Sequence, residues 1–267
     1  MSGLFHTVKR LVEPLRPRLM PSIVIVGAQK AGTSALYSML VRHPRVIAPV
    51  EKELTFFGND NTYALGMGHY RRMLPVRPLR GAGWTTLDAT PNYLYRPPAA
   101  ERIRRHLPDA VIVAVLRDPV KRARSDWNMF HQFKGHPRYA HLYDPRTFAE
   151  AMAAELAAPP PFGYLARGHY GPQVERYFQH FGRERVLVFG YPQLKVSPES
   201  VLERIAAAAG LDVALFPDRL REVKANVRAY SGPVDTELEE RLRAYYAPHM
   251  QRLDEVLGVH LDLREER

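Results

Sequence analysis

The segment at residues 27–34, GAQKAGTS, combines two glycines, a lysine and two hydroxyl side chains in an order that suits phosphate binding. A glycine-rich turn that leads into a helix presents backbone N–H groups and the positive end of the helix to an anion. The glycines and the final serine fit the nucleoside-triphosphate loop, G-x-x-x-x-G-K-[ST], but Thr33 stands in its lysine position and Lys30 comes earlier. We therefore predict a phosphate-binding loop without a lysine for a γ-phosphate; a strand–helix turn without a ligand is the alternative.

A second candidate for anion binding begins at Arg117. The Arg-Asp-Pro sequence there suits the start of a helix, because aspartate can cap a helix and proline is favoured in its first turn. Arg117 would then lie at the edge of a sheet and Ser125 about two turns into the helix, so both could hold a further phosphate. Trp127 and His131 follow on the same predicted helix. These two could line an acceptor pocket or pack as ordinary core and surface residues.

Two other segments supply carboxylates next to aromatic side chains. The first, PVEKELTFF, holds Glu51 and Glu53 beside Lys52, and burial against its two phenylalanines could tune a carboxylate for general-base work. The second, DATPNY, offers Asp88 and Tyr93, which could face a substrate. A solvated charge cluster is the alternative for the first segment.

The pattern of apolar residues predicts the elements that would position these segments. Apolar runs typical of strands buried on both faces occur at residues 23–26, 111–116 and 186–189, with shorter strands at 46–48 and 85–87. Helical patterns begin near residue 33, after residue 118 and at 198–209. Such alternation predicts a parallel sheet flanked by helices, and ligands bind beyond the carboxyl ends of its strands. We predict a single α/β domain at residues 21–267, preceded by a basic arm at 1–20.

The chain of 267 residues contains 38 Lys and Arg, 28 Asp and Glu and no cysteine, and its formal net charge is +10. The absence of cysteine excludes disulfide scaffolds, zinc ribbons, iron–sulfur sites and thiol catalysis. The positive charge favours an anionic ligand such as a nucleotide, an acidic substrate or nucleic acid. A membrane-spanning helix needs about 20 consecutive apolar residues, and no apolar run in the sequence is that long. The spacing of the histidines does not match that of metal ligands. We expect a cytoplasmic protein with neither a signal segment nor a bound metal.

Taken in order, these segments resemble the motifs of sulfotransferases that use 3′-phosphoadenosine 5′-phosphosulfate (PAPS), particularly the heparan-sulfate sulfotransferases and their bacterial relatives. The matched patterns are G-x-x-K-x-G-T-[ST] at residues 27–34, K-E-x-x-F-F at 52–57, [ED]-x-[ST]-P-x-Y at 88–93, R-[DN]-P-x-x-R-x-x-S at 117–125 and R-G-x-Y at 167–170. The resemblance runs from about residue 22 to about residue 257. It implies the P-loop-like fold of these enzymes and transfer of a sulfuryl group to a hydroxyl or amine of a glycan, glycolipid or specialised metabolite.

The resemblance also implies a role for each matched residue. The 5′-phosphosulfate would be bound by Gln29, Lys30, Ala31, Gly32, Thr33 and Ser34. Arg117 and Ser125 would hold the 3′-phosphate. Glu53 would take the proton of the acceptor, and Lys30 would stabilise charge on the oxygen that bridges sulfur and phosphorus. The candidates for contact with the acceptor are Lys52, Asp88 and Tyr93 from the matched segments, together with Trp127 and His131, which are suggested by their position on the helix after Ser125.

Two departures from the family pattern limit what is carried over. Ala89 stands where heparan members often have a lysine, so their sugar specificity is not transferred to this chain. The basic loop that closes the family's nucleotide site falls at about residues 224–232, without a secure alignment. The reaction would be a direct in-line transfer that requires no divalent metal. The alternatives are a P-loop kinase that binds ATP with Mg²⁺ and a non-enzymatic polyanion-binding protein; no nucleic acid or membrane insertion is expected.

Overall fold

A computed structural model describes residues 17–79, 81–158, 162–217 and 235–264. Residues 1–16 of the predicted basic arm and the predicted closing loop at about 224–232 lie outside these ranges. The described residues form one central sheet with helices packed around it.

The strands of this sheet are β1 (Pro21–Gly27), β2 (Thr86–Ala89), β3 (Val111–Leu116) and β4 (Val186–Gly190). All pairs are parallel, and the strands stand in the order β2-β1-β3-β4. Every residue of β3 is buried, as its uninterrupted apolar sequence VIVAVL requires, and β1 is nearly as enclosed. The predicted parallel sheet is confirmed, and the carboxyl ends of its strands meet at one edge.

The predicted short strand at residues 46–48 is wrong. Val46 forms a single parallel bridge with Thr85, and Ile47 donates its N–H to the carbonyl of Thr85 over 2.9 Å. Prolines flank this segment on both sides, and proline has no N–H with which to extend a ladder. The neighbouring strand predicted at 85–87 exists, but it begins and ends later, as β2.

The α-helices of the described residues are α1 (Thr33–Leu40), α2 (Asp60–Tyr63), α3 (Gly66–Arg72), α4 (Pro97–His106), α5 (Pro119–His131), α6 (Phe148–Ala157), α7 (Tyr170–Phe181), α8 (Tyr191–Val196), α9 (Pro198–Ala209) and α10 (Thr236–Leu257). Helix α5 begins as predicted, because Asp118 accepts the N–H of Lys121 over 2.9 Å and Pro119 takes the first position. Helix α9 has the predicted bounds. Within the ranges described, no helix is long and apolar enough to cross a bilayer.

Two hydrophobic clusters hold these elements in place. The larger one encloses the sheet and buries residues of α1, α4, α7 and α9 against it. The smaller one packs Val120 and Trp127 of α5 against Met152 of α6 and against Leu242 and Tyr246 of α10. Because α5 directly follows β3, the second cluster fixes the helix that starts at the sheet edge where ligands are expected.

Candidate active site

The loop after β1 has the backbone shape of an anion-binding turn. It reaches α1 through Lys30 and Gly32, whose φ angles are 71° and 87°. Gly32 is the N-cap of α1, and no side chain of the described residues caps this helix end, which carries the positive end of the helix dipole. A Cβ on Gly32 would lie 2.8 Å from the ring of Tyr191, and its positive φ also favours glycine. The turn is therefore suited to an anion at the N-terminus of α1.

Arg117 extends from the end of β3 to this loop. Its Nη1 donates to the carbonyl of Lys30 over 3.2 Å, and its guanidinium lies 5.0 Å from the centre of the Tyr191 ring. The carbonyl of Arg117 accepts the hydroxyl of Tyr170 at 2.8 Å. Ser125 is half-buried on the helix that follows. The structure thus brings Lys30 and Arg117 together at one edge of the sheet.

The carboxylate of Glu53 lies on the exposed side of its segment. Its side chain is 48% exposed, and its Oε1 pairs with Nζ of Lys52 at 2.9 Å. Phe56 and Phe57 instead point into the core, where both are fully buried. The expectation that the aromatic pair buries this carboxylate is therefore wrong: the backbone turns at Thr55, with φ 52°, between the carboxylate and the aromatic side chains.

Two hydrogen bonds join the segment of Glu53 to the loop after β2. The N–H of Thr55 donates to Oγ1 of Thr90 over 3.2 Å, and the N–H of Phe57 donates to the hydroxyl of Tyr93 over 3.3 Å. The two carboxylate-bearing segments, which are far apart in the sequence, are therefore neighbours in the fold.

The buried carboxyl of this region is that of Asp88, in β2. It has no exposed surface and accepts hydrogen bonds from the hydroxyls of Thr90 (2.7 Å), Tyr93 (3.0 Å) and Tyr70 (3.1 Å). Burial raises the pKa of Asp88 to about 6, although the three hydroxyl donors act in the opposite direction. Contrary to the expectation that it faces a substrate, Asp88 is fully buried, and the hydrogen bonds that its carboxylate oxygens accept from described residues come from these three hydroxyls.

A cavity of about 640 Å³ opens beside these two segments. Most of its lining residues have polar side chains, and they come from the segment after Glu53, the loop after β2 and the chain beyond α5: Thr55, Gly58, Asn59, Asp60, Asn61, Thr90, Asn92, Tyr93, Arg96, Tyr139 and Leu142. Of the charged side chains here, Asp60 is paired with Arg102 at 2.5 Å. The cavity is large enough for a small molecule or part of a longer chain.

Trp127 and His131 stack on each other with ring centres 4.8 Å apart, but neither lines this cavity. The indole N–H of Trp127 donates to the carbonyl of Arg146 over 2.9 Å, and its ring is buried in the smaller hydrophobic cluster. Nδ1 of His131 lies 2.9 Å from the carbonyl oxygen of Asp144. The described contacts of both residues are therefore packing contacts, and a role toward an acceptor stays a prediction.

Sequence reasoning assigned no role to Arg167, which the structure places between the anion-binding loop and the loop after β2. Its Nη1 donates to Oε1 of Gln29 over 2.9 Å and to Oδ1 of Asn92 over 2.7 Å. Desolvation lowers the pKa of Arg167, while Asp126 acts in the opposite direction. The R-G-x-Y pattern marked the position, but a single arginine carries no information on which distant loops it joins.

Among the described residues, no group of three or more His, Cys, Asp or Glu side chains could hold a metal ion. The site instead combines an anion-binding turn, two cations at its edge, an accessible carboxylate and a cavity lined mostly by residues with polar side chains. Such groups suit the binding of a phosphorylated donor and the removal of a proton from an acceptor.

Comparison with known proteins agrees with this chemistry. Residues 20–230 match the family model of the sulfotransferase domain. The chain is 27% identical over 267 residues to mouse bifunctional heparan sulfate N-deacetylase/N-sulfotransferase 4, covering 89% of this chain and 30% of that protein. It is 27% identical over 260 residues to human heparan sulfate glucosamine 3-O-sulfotransferase 3B1, covering 90% of this chain and 64% of that protein. The chain thus spans less than two thirds of the length of these curated relatives.

Solved structures show the same fold. A sulfotransferase from Alicyclobacillus acidocaldarius superposes with a TM-score of 0.70 at 28% identity, covering 91% of this chain and 97% of that one. Mouse sulfotransferase SULT7A1, solved in complex with PAP, superposes with a TM-score of 0.50 at 17% identity, covering 89% of this chain and 86% of that one, which shows the fold alone. The resemblance seen in the sequence is confirmed, and neither the kinase nor the polyanion-binding alternative is favoured. This chain belongs to the sulfotransferase family.

Proposed function

We propose that this protein transfers the sulfuryl group of PAPS to a hydroxyl or amine of an acceptor held in the cavity that is lined by the segment following Glu53. The observation that carries the proposal is the hydrogen bond from Arg117, which directly follows β3, to the carbonyl of Lys30, because it brings a second cation to the anion-binding turn before α1. A nucleotide with phosphate groups on both its 3′ and 5′ sides needs a positively charged or N–H-donating group for each of them. Residues 29–34 would hold the 5′ side, and Arg117 with Ser125 the 3′-phosphate.

PAPS supplies a sulfuryl group that is joined to a phosphate through a bridging oxygen, and 3′,5′-phosphoadenosine (PAP) remains after transfer. The exposed carboxylate of Glu53 would take the acceptor's proton while the acceptor oxygen or nitrogen bonds to sulfur and the bridging S–O bond breaks. Lys30 and the N-terminus of α1 would stabilise the charge that develops on the phosphate oxygen. Positioning and electrostatics account for most of the rate in such a transfer.

The lining of the cavity supports a hydroxylated acceptor with few anionic groups. Amides and hydroxyls outnumber charges there, and Asp60 is already paired with Arg102. Tyr139 adds an aromatic ring, and Arg96 is exposed at the lining. A densely sulfated chain would need a row of cations. We therefore propose a sparsely charged glycan, a glycolipid or a specialised metabolite as the acceptor.

The variant Glu53→Gln tests this assignment. We expect it to abolish transfer of labelled sulfuryl groups from PAPS to a panel of acceptors, because the amide cannot take a proton. Its affinity for PAP, measured by calorimetry, should stay within about threefold of wild type, since Glu53 does not belong to the donor loop. Glu51→Gln, in the same segment, is the matched control and should transfer normally. Normal turnover by Glu53→Gln would contradict its assignment as the base.

The donor is tested separately by thermal shift. PAP should raise the melting temperature more than ATP with Mg²⁺ at equal concentration, because only PAP carries the 3′-phosphate. A larger shift with ATP and Mg²⁺ would support the kinase alternative instead.

A further inference from the structure

The side chain of Arg167 joins the two halves of the proposed site through one nitrogen atom. Nη1 binds the amide oxygen of Gln29, in the anion-binding loop, and the amide oxygen of Asn92, in the lining of the cavity. Gln29 and Asn92 are held by different strands, since one follows β1 and the other follows β2. The separation of the donor loop from the cavity lining is therefore linked to the position of a single guanidinium.

Further contacts, apart from those with Gln29 and Asn92, restrain this guanidinium. Nε donates to the carbonyl of Phe162 over 3.2 Å and lies 3.9 Å from Oδ2 of Asp126, and the guanidinium lies 4.7 Å from the centre of the Tyr95 ring. The side chain is only 12% exposed. The next residue, Gly168, packs so closely that a Cβ there would lie 2.7 Å from the ring of Tyr246. Both the backbone and the side chain of Arg167 are thus restrained.

The chemistry of a guanidinium also fixes the orientation of both amides. Arginine can only donate hydrogen bonds, so the oxygens of Gln29 and Asn92 must be the atoms that face it. The NH₂ group of each amide is then directed away from Arg167 and remains a donor. Sulfuryl oxygens and acceptor hydroxyls are groups that such donors bind.

We propose that Arg167 is a positioning residue that sets the donor loop and the acceptor cavity in register for transfer. This inference deepens the proposed function and rests on it. Arg167 acts through Gln29 and Asn92, not through contact with the reacting atoms. An in-line transfer depends on the distance and angle between the attacking atom and sulfur, and a misplacement of about 1 Å can cost about 100-fold in rate. Loss of the shared contact should therefore lower turnover more than donor binding.

The test is the variant Arg167→Lys, which keeps the positive charge but cannot reproduce the planar fork. We expect kcat to fall about 10- to 100-fold, while the Kd for PAP changes less than about threefold. Arg183→Lys is the matched control, because Arg183 also donates to two protein oxygens, the carbonyls of Val256 and Leu257, and lies 4.6 Å from an aromatic ring centre. The control should lose stability at most. Equal kcat values in both variants, each corrected for the fraction of PAP-binding protein, would overturn the proposal.

A second measurement does not depend on activity. The side-chain amide resonances of Gln29 and Asn92 in ¹⁵N–¹H spectra of the protein without ligand should both shift in Arg167→Lys, and neither should shift in Arg183→Lys. Unchanged amide resonances in Arg167→Lys would overturn the proposal. If wild-type protein transferred no sulfuryl group but the amides shifted as expected, the proposed function would have failed while the coupling of the two loops by Arg167 would stand.

Discussion

The buried carboxyl of Asp88 leads to a quantitative prediction about stability. The substitution Asp88→Asn keeps the size of the side chain and one acceptor oxygen, but it removes the ionisable group. In the wild type, burial raises the pKa of Asp88 from an ordinary value of 3.8 to about 6. The folded state therefore holds this proton more tightly than the unfolded state does. The stability that the bound proton supplies is fully present below pH 3.8 and is lost as the pH rises through 6.

The magnitude follows from the two pKa values. A rise from 3.8 to about 6 corresponds to about 3 kcal/mol, of which about 2 kcal/mol should be lost between about pH 4.5 and pH 7. Above about pH 7 the carboxyl is ionised in both states, so its contribution no longer changes with pH. The asparagine variant lacks this titration, whatever constant cost its altered hydrogen bonds carry. Its stability relative to wild type should therefore improve by about 2 kcal/mol over that range.

Urea unfolding followed by fluorescence at several pH values measures this difference directly. Asp144→Asn provides a control of opposite sign. Burial raises the pKa of Asp144, but the hydrogen bonds from Arg146 outweigh it and hold the pKa below its ordinary range. That variant should therefore lose stability relative to wild type as the pH rises toward the ordinary pKa of 3.8, with little further change above it, so the series must include acidic samples. A difference between wild type and Asp88→Asn that does not change with pH would refute the reasoning.

Two further predictions concern the donor site. Arg117→Ala should weaken PAP binding about 10- to 100-fold, as measured by calorimetry, because it removes a charged hydrogen bond worth about 1.5–3 kcal/mol. Unchanged affinity would contradict the assignment of Arg117 to the 3′-phosphate. Gly32→Ala should lower the free energy of unfolding, measured with urea, by about 1–3 kcal/mol. The φ of 87° is unfavourable for alanine, and its Cβ would lie 2.8 Å from the Tyr191 ring. Stability equal to that of the wild type would show that the turn relaxes without cost.

Local patterns in the sequence predicted the parts of the fold that depend on few residues. The uninterrupted apolar run of β3 and the Asp-Pro start of α5 specify a buried strand and a helix end by themselves, and both lie where expected. The segment at residues 46–48 has the same β-branched character but pairs at a single bridge, because its flanking prolines limit the ladder. The β-strand propensity of residues 46–48 does not take the effect of these flanking prolines into account.

The arrangement of the site depended on contacts between distant residues, which a single sequence does not encode in a readable form. The segment that contains Glu53 also contains two phenylalanines, but its turn at Thr55 separates the exposed carboxylate from the buried rings. Arg167 lies 138 positions from Gln29 and 75 from Asn92, so their shared hydrogen bonds appear only in the folded chain.

The segment at residues 167–170 contacts both proposed anion positions. Arg167 binds Gln29 beside the anion-binding turn, and the hydroxyl of Tyr170 binds the carbonyl of Arg117. Because the two contacts come from one short stretch of restrained backbone, that stretch sets the spacing between them. Arg167 also binds Asn92, so on the proposed assignment one short stretch would connect both phosphate positions to the acceptor cavity. A shift of its backbone would then displace donor and acceptor together rather than change the affinity for either one alone.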